Sequence, residues 1–296
     1  MRLGVDIGGT KTDVVLEHAG AIVRRHRTPS GFGPDAVIAA ATGAVDAVLA
    51  DAGVDLSRIE SIGVGIPGGV VDGVVTYALN LGLERLDLAG ALTQAWGTRP
   101  VIDNDVNVAA LGAWAITGRH TSSLAYLNLG TGLAAGLILN GKLWRGGRGT
   151  AGELGHISID PAGPPDADGL PGALETYASG SGIARQWGVD GVHAQEILDA
   201  AEAGDRAAVG IRDGVHFGVA SAVRALVLML DVDTVVLGGG LTNYGDGILN
   251  GTRSVLDSWA AASEFIDSLK IGERIVLLDP EVPVAALGAA DLGAEQ

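Results

Sequence analysis

One strand–turn–strand plan, built around a glycine–hydroxyl turn, occurs twice in this chain and constrains its fold more than any other feature. The first copy is Leu3-Gly-Val-Asp-Ile-Gly-Gly-Thr-Lys-Thr-Asp-Val-Val-Leu16. Leu3, Val5 and Ile7 alternate with Gly4 and Asp6 at period two, and Val14, Val15 and Leu16 resume after the turn, which predicts two strands. The second copy is Leu124-Ala-Tyr-Leu-Asn-Leu-Gly-Thr-Gly-Leu-Ala-Ala-Gly-Leu-Ile-Leu-Asn-Gly-Lys142, with Asn128 in the place of Asp6 and Gly130-Thr131-Gly132 in the place of Gly8-Gly9-Thr10. A separation of roughly 120 residues is too long for a solenoid repeat and suits a duplicated domain. Gly8 and Gly9 can take positive φ and leave backbone N–H groups uncovered, as a loop around phosphate oxygens requires. Lys11 would add a point charge for the same anion, and Asp6 could hold a hydrated Mg²⁺. A plain glycine-turned hairpin with solvated ends satisfies the same residues, so the rest of the chain has to decide.

At 296 residues, with 47% hydrophobic and 18% charged residues, the chain can bury the core of two packed domains or one large one. It has no cysteine, which removes disulfides, thiolate metal sites and a cysteine nucleophile. A formal charge of −16 argues against a nucleic-acid surface, which depends on clustered basic residues. The chain has only three lysines, and one of them is Lys11. No basic segment precedes an apolar core at the N-terminus, and the apolar stretch at 219–230 carries Arg224 and falls short of the ~18 residues of a membrane span. A cytoplasmic protein with no membrane contact is expected.

Further along, Ala19-Gly20 predicts a second hairpin turn. Pro34-Asp35 opens a helix with Val37, Ala41, Val45, Val48 and Leu49 on one face and Gly53 at its end. Gly63, Gly65 and Gly68 spell a formal Gly-x-Gly-x-x-Gly, but Pro67 and the following Val70-Val-Asp-Gly-Val-Val75 predict a strand and hairpin, where a dinucleotide fingerprint needs a helix. A short buried strand at 100–102 and a helix at 106–116 place Asp103, Asn104, Asp105 and Asn107 at one strand-to-helix turn. Capping accounts for one or two such residues; four suggest a site. Glu153, His156 and Glu175 adjoin apolar positions, and each alone has an ordinary structural reading. A long buried helix is expected over 205–230, then a strand at 234–237 with Gly238-Gly239-Gly240 directly after it, leaving room for a flat ligand. A helix over 245–269, a strand over 274–278 and a helix over 285–292 complete the prediction.

In this order the motifs resemble those of the ROK family of sugar kinases and sugar-responsive repressors, within the actin-like ATPase superfamily. The matches are Asp6-Ile-Gly-Gly-Thr-Lys-Thr12, Gly65-Ile-Pro-Gly68, Asn104-Asp105-Val-Asn107, Leu129-Gly-Thr-Gly132, Gly152-Glu-Leu-Gly-His156, Leu174-Glu-Thr-Tyr-Ala-Ser-Gly180 and Gly238-Gly-Gly240. The resemblance implies an α/β, two-domain actin-like ATPase (ribonuclease H-like) fold with a central interdomain cleft. The implied domains are 1–117, joined by a C-terminal helix at about 284–296, and 118–283. It implies ATP-dependent phosphorylation of a hexose, glucose at the 6-hydroxyl favoured, with Asp105 as general base. Gly68, Asn104, Glu153, His156 and Glu175 would bind the sugar with Asp105. Asp6, Gly8, Gly9, Thr10, Lys11, Thr131 and Gly132 would hold the phosphates of ATP, Gly238, Gly239 and Gly240 would border its adenosine, and Asp6 would anchor Mg²⁺ through water. A homodimer or homotetramer is also implied.

Family members commonly carry a zinc module in which three cysteines join the His of the Gly-His pair. The positions here are Asp166, Asp168 and Ala173, a poor ligand set beside His156, so no structural zinc is expected. Ala134 stands where a third loop glycine is usual. Repressors of the family carry a winged helix before the first glycine loop, whereas five residues precede Asp6 here. Kinases for another hexose or an N-acetylhexosamine use the same polar residues, polyphosphate is an alternative donor, and a sugar-binding regulatory protein without catalysis is the alternative of another class.

Overall fold

In the computed structural model, residues 1–118, 120–189 and 191–294 are described. The chain opens with an antiparallel meander, β1 (Arg2–Ile7), β2 (Lys11–His18) and β3 (Ala21–Pro29), followed by α1 (Pro34–Ala52) and β4 (Ser61–Ile66). A small sheet of β5 (Gly69–Val71), β6 (Val74–Ala78) and β7 (Leu83–Asp87) precedes α2 (Leu88–Trp96), β8 (Val101–Asn104) and α3 (Asp105–Ile116). Then come β9 (Leu124–Leu129), β10 (Leu133–Leu139) and β11 (Lys142–Leu143), and, after a turn-rich stretch, α4 (Leu174–Ala178), α5 (Gly180–Trp187), α6 (Ala194–Glu202) and α7 (Arg206–Leu230). The last elements are β12 (Thr234–Gly238), α8 (Asp246–Ala262), α9 (Glu264–Ser268), β13 (Ile275–Leu277) and α10 (Val284–Leu292).

The chain forms two compact units. One holds Met1–His120, Lys142–Ala151 and the segment from Pro283 onward; the other holds Thr121–Gly141 and Gly152–Val282. The stretch Lys142–Ala151, which the sequence puts inside 118–283, lies with the first unit, where Arg145 forms an ion pair with Asp103. In the first unit β2-β1-β4-β8 run side by side; in the second, β10-β9-β12-β13 do the same. Both runs have one antiparallel pair followed by two parallel ones. The duplication read from the two glycine turns therefore extends to strand order.

Parallel neighbours buried on both faces need apolar residues throughout, and Leu3, Val5, Ile7, Val14, Leu16, Ile62, Val64 and Ile66 fill the first core with the inner face of α1. The opposite face of that sheet takes α10, which packs on β1, β4 and α3. Its approach is backbone to backbone: a Cβ on Gly4 would overlap the Ala286 carbonyl, one on Gly63 the Ala289 carbonyl, and one on Gly112 the Val284 carbonyl. Two glycines of the formal Gly-x-Gly-x-x-Gly thus serve helix packing, Gly63 toward α10 and Gly65 toward Val108 of α3. The third, Gly68, has φ 93° and precedes a hairpin, not a helix.

Several boundaries differ from expectation. The strand expected at 100–102 runs over Val101–Asn104, with Val101 and Ile102 half-buried and Asp103 buried. The single helix expected over 245–269 is broken at Ser263, whose hydroxyl accepts the Ile266 N–H and caps α9. By length and composition α7 is apolar enough to cross a bilayer, although its longest uninterrupted apolar run is shorter than a span. Half of its most apolar stretch is buried in the protein, where α7 packs against α4, α6 and α8.

Candidate active site

In the first unit, β1 delivers Asp6 to the edge of the first glycine loop, paired across the ladder with Asp13 of β2. The Gly8 N–H donates to the Lys11 carbonyl at 3.0 Å and closes the turn. Neither Gly8 nor Gly9 takes the positive φ that the sequence allowed. They are needed for close approach: a Cβ on Gly8 would stand 3.0 Å from the Lys11 carbonyl oxygen, and one on Gly9 2.6 Å from Asn80 Nδ2. Buried Ser30, which the sequence did not single out, pins the loop. Its hydroxyl donates to the Gly8 carbonyl at 2.6 Å, its N–H donates to the Thr10 carbonyl at 3.2 Å, and it lies 3.0 Å from Thr12 Oγ1. Thr10 and Lys11 remain exposed.

The four polar residues around α3 divide their work. Asn104 is the N-cap: its Oδ1 accepts from the N–H groups of Val106 and Asn107 at 2.9 and 3.3 Å, and its Nδ2 donates to the Gly68 carbonyl at 3.2 Å. Buried Asp103 holds the turn, accepting from the Asn104 N–H at 2.7 Å, Asn107 Nδ2 at 2.9 Å and Arg145 Nε at 2.6 Å. Asp103 and Asn107 are thereby structural. Arg145 was missed because its partner is far away in sequence; its only local signal is an arginine in the glycine-rich Arg145-Gly-Gly-Arg-Gly149.

Asp105 begins α3, with one carboxylate oxygen accepting the Val106 N–H at 3.0 Å. It comes close to Asp6 electrostatically. Burial, reinforced by the negative charges of Asp105 and Asp13 and opposed by Lys11 and Arg27, pushes the Asp6 carboxyl up to about 8. Two carboxylates so placed favour a cation between or beside them. Asp13 behaves oppositely: burial would raise it, but hydrogen bonds and charge from Arg25 and Arg27 outweigh that and hold it below the usual carboxylate range.

In the second unit, Asn128 pairs with Ala134, so Ala134 lies within β10 and not in the loop. Gly130-Thr131-Gly132 is pinned from α5: the Gly180 and Ser181 N–H groups donate to the Gly130 and Thr131 carbonyls at 2.8 and 3.1 Å, and the Ser181 hydroxyl to Thr131 at 2.7 Å. Glu175 lies beside this loop, its Oε2 accepting the Leu133 N–H at 3.0 Å; a Cβ on Gly132 would come within 2.8 Å of that oxygen. Gly152, at φ 94°, seats Gly152-Glu-Leu-Gly-His156 against Ala135 of β10, leaving Glu153 and His156 exposed. Of the triple glycine, Gly238 makes room for the Tyr126 ring and Gly239, at φ 89°, lies against Leu129 and Asn128, while only Gly240 leaves open space beside its Cα. Asp166 ties its own loop, accepting the Asp168 and Leu170 N–H groups at 2.9 and 2.8 Å. Gly68, Asn104, Asp105, Asp6 and the first loop thus belong to one unit; Glu153, His156, Glu175, the second loop and the triple glycine belong to the other.

Two α/β units with matching strand order are the architecture of the actin-like ATPases, the ribonuclease H-like fold. Solved structures agree over nearly the whole chain. The ROK hexokinase of Thermus thermophilus superposes with a TM-score of 0.80 at 28% identity, covering 99% of this chain and 97% of that one. A ROK family glucokinase from Streptomyces griseus, in complex with glucose and AMPPNP, gives 0.80 at 27%, covering 100% and 99%. A glucokinase of Halalkalibacterium halodurans is 32% identical over 282 residues, 87% of this chain and 86% of its own. Residues 2–294 match the model of the ROK family, and the chain belongs to that family.

Proposed function

We propose that this ROK sugar kinase transfers the γ-phosphoryl group of ATP to a hexose, with glucose at its 6-hydroxyl the favoured acceptor. The observation that supports it most is the placement of Asp105. It stands in the first turn of α3, on a cap that also grips the Gly68 carbonyl, with its charge acting on Asp6. In this reading Asp105 takes the proton of the sugar hydroxyl as that oxygen bonds to the γ-phosphorus and the bond to ADP breaks. A positioned carboxylate can do so without an unusual pKa. Gly68, Asn104, Glu153, His156 and Glu175 would bind the sugar with Asp105; the loops at Gly8–Lys11 and Thr131–Gly132 would cradle the phosphates, and Gly238, Gly239 and Gly240 would border the adenosine.

In this reading Mg²⁺ accompanies the ATP phosphates at the first unit, where the Asp6 carboxylate stands at the first loop and the charge of Asp105 acts on it. Among the described residues no cluster of three or more His, Asp or Glu side chains could hold an ion, so Mg²⁺ would depend on water and phosphate oxygens for its other ligands. Asp6 would hold it through water, and the ion would neutralise charge on the phosphates.

The test is an ADP-release assay with ATP and Mg²⁺ across glucose, mannose, fructose, N-acetylglucosamine and N-acetylmannosamine, repeated with polyphosphate as donor. Turnover strongest on glucose is expected. Turnover confined to an N-acetylated sugar would reassign the acceptor, and silence on all five, with sugar binding retained in calorimetry, would leave a regulatory sugar-binding protein.

A further inference from the structure

Among the described residues, six other than glycine have positive φ, and five of them, Ala19, Asp72, Asn140, Asp231 and Lys270, sit in turns or at helix ends. The sixth is Tyr77, at φ 58° inside β6. A left-handed conformation costs a bulky L-residue on the order of 1–2 kcal/mol, and such strain persists where surrounding structure demands it. The ladder around it is otherwise regular: Thr76 pairs with Arg85 and Ala78 with Leu83, with no pair at Tyr77. On the other side, β5 and β6 pair Gly69 with Thr76, so Gly68 and Tyr77 come next and both have positive φ. The Gly68 backbone is pressed against this bend; a Cβ there would overlap the Thr76 carbonyl and stand 3.2 Å from the Tyr77 carbonyl carbon.

The segment that follows is anchored below and open above. Ala78 and Leu81 are buried, and the Leu81 carbonyl accepts the Gly33 N–H at 2.8 Å. Tyr77, Leu79 and Asn80 are exposed. Asn80 reaches Gly9 of the first glycine loop, and Tyr77 adjoins Gly68, whose carbonyl holds Asn104 beside Asp105. The exposed side of this segment therefore runs from the phosphate loop to the acceptor end of the first unit. At the acceptor end stands an aromatic ring that is 77% exposed. A buried aromatic is accounted for by packing; an exposed one carried on strained backbone is not. The C–H faces of a pyranose are the apolar surface that an open aromatic ring accepts, while its hydroxyls go to the polar groups nearby.

We propose that Tyr77 is a specificity-determining residue of the acceptor subsite, its ring laid against a C–H face of a hexose held at Gly68 and Asn104. This rests on the sugar-kinase reading of that subsite. The strain at Tyr77 is then the cost of aiming the ring.

The test compares Tyr77→Phe, Tyr77→Ala and Tyr77→Gly in the full chain, with glucose and ATP varied separately and glucose binding measured by calorimetry. Tyr77→Phe should keep KM for glucose within about twofold. Tyr77→Ala and Tyr77→Gly should each raise it about tenfold, equivalent to about 1.4 kcal/mol, with KM for ATP unchanged. Glycine accepts positive φ, so Tyr77→Gly should melt above Tyr77→Ala while binding glucose as weakly. A more stable Tyr77→Gly protein with the wild-type KM and Kd for glucose would overturn the proposal and leave the bend as a folding feature. A wild-type chain that binds glucose without turning it over would defeat the kinase reading alone, and the calorimetric comparison would still decide Tyr77. A wild-type chain that neither binds nor phosphorylates any of the five sugars would defeat both.

Discussion

The two glycine loops are copies in topology but not in charge. The first has Asp6 beside Asp13, with Lys11 at its tip; the second has Asn128 beside Ala134, with Thr131 at its tip. The first is pinned mainly by one side chain, Ser30, and the second mainly by two backbone N–H groups of α5. The two loops thus share one scaffold, but the ladder pair beside the turn carries two carboxylates in the first copy and none in the second, where the nearby carboxylate is Glu175. Carboxylates beside a glycine turn suit a hydrated cation as well as the phosphates it accompanies, whereas a turn without them suits phosphate oxygens alone.

The sharpest way to break this comparison is Asp105→Ala. Loss of a positioned general base should lower kcat by about 10²–10⁴-fold, with glucose binding weakened but still measurable in calorimetry; retained turnover would end the assignment of chemistry to the first unit. Next comes Asp6→Asn. The Asp6 carboxyl keeps its proton to about 8 in the folded chain and only to about 4 when unfolded. Its contribution to the stability of the unliganded protein is therefore fully present below about pH 4 and is lost as pH rises through about 8. Binding of Mg²⁺-ATP should strengthen over the same rise, as the proton leaves. Asp6→Asn should flatten both profiles, read by thermal melts and by titration calorimetry, whereas Asn128→Ala in the second copy should leave both slopes intact.

Asp13 gives a smaller effect of opposite sign. Its depressed pKa stabilises the fold above the unfolded value near 4, and that contribution disappears as pH falls through the folded one. Asp13→Ala should cost about 1–2 kcal/mol in urea unfolding at pH 7, discounted for two partly exposed arginines, and the deficit should vanish in acid. The smallest expected difference is between the pins. Ser30→Ala should cost about 1 kcal/mol and raise KM for ATP. Ser181→Ala should do less, because the carbonyl its hydroxyl leaves, Thr131, still accepts the Ser181 N–H, whereas the Ser30 N–H goes to Thr10 and not to the Gly8 carbonyl that the Ser30 hydroxyl held. Equal effects would mean that the loops are held alike.

Much of this was legible in the sequence because it is local. Period-two alternation gave both copies, and the crowd of polar residues at 103–107 marked the turn that carries Asp105. What was not legible joins residues distant along the chain. Nothing near Ser30 announces Gly8, and nothing near Arg145 announces Asp103. The same holds for the cap at Ser263, which cuts a helix whose apolar pattern runs on, and for α2 and α6, whose nine residues each give only about two and a half turns of periodicity. Glycines were legible as glycines but not for what they lie against: Gly8, Gly68 and Gly239 make room for the chain's own backbone and Gly9, Gly132 and Gly238 for its side chains, a demand visible only when both partners are placed.

The seating of α10 has a consequence for biosynthesis. Gly4 and Gly63 on one face of the first sheet, with Gly112 of α3, make the seat for a helix that is translated only after the entire second unit. As the chain leaves the ribosome, the first unit must wait with that face uncovered while the second unit, nearly continuous in sequence, can close on itself. A nascent chain arrested before α10 should accordingly be protease-sensitive in its first unit and protected in its second, reversing the usual order in which the part made first is the part finished first.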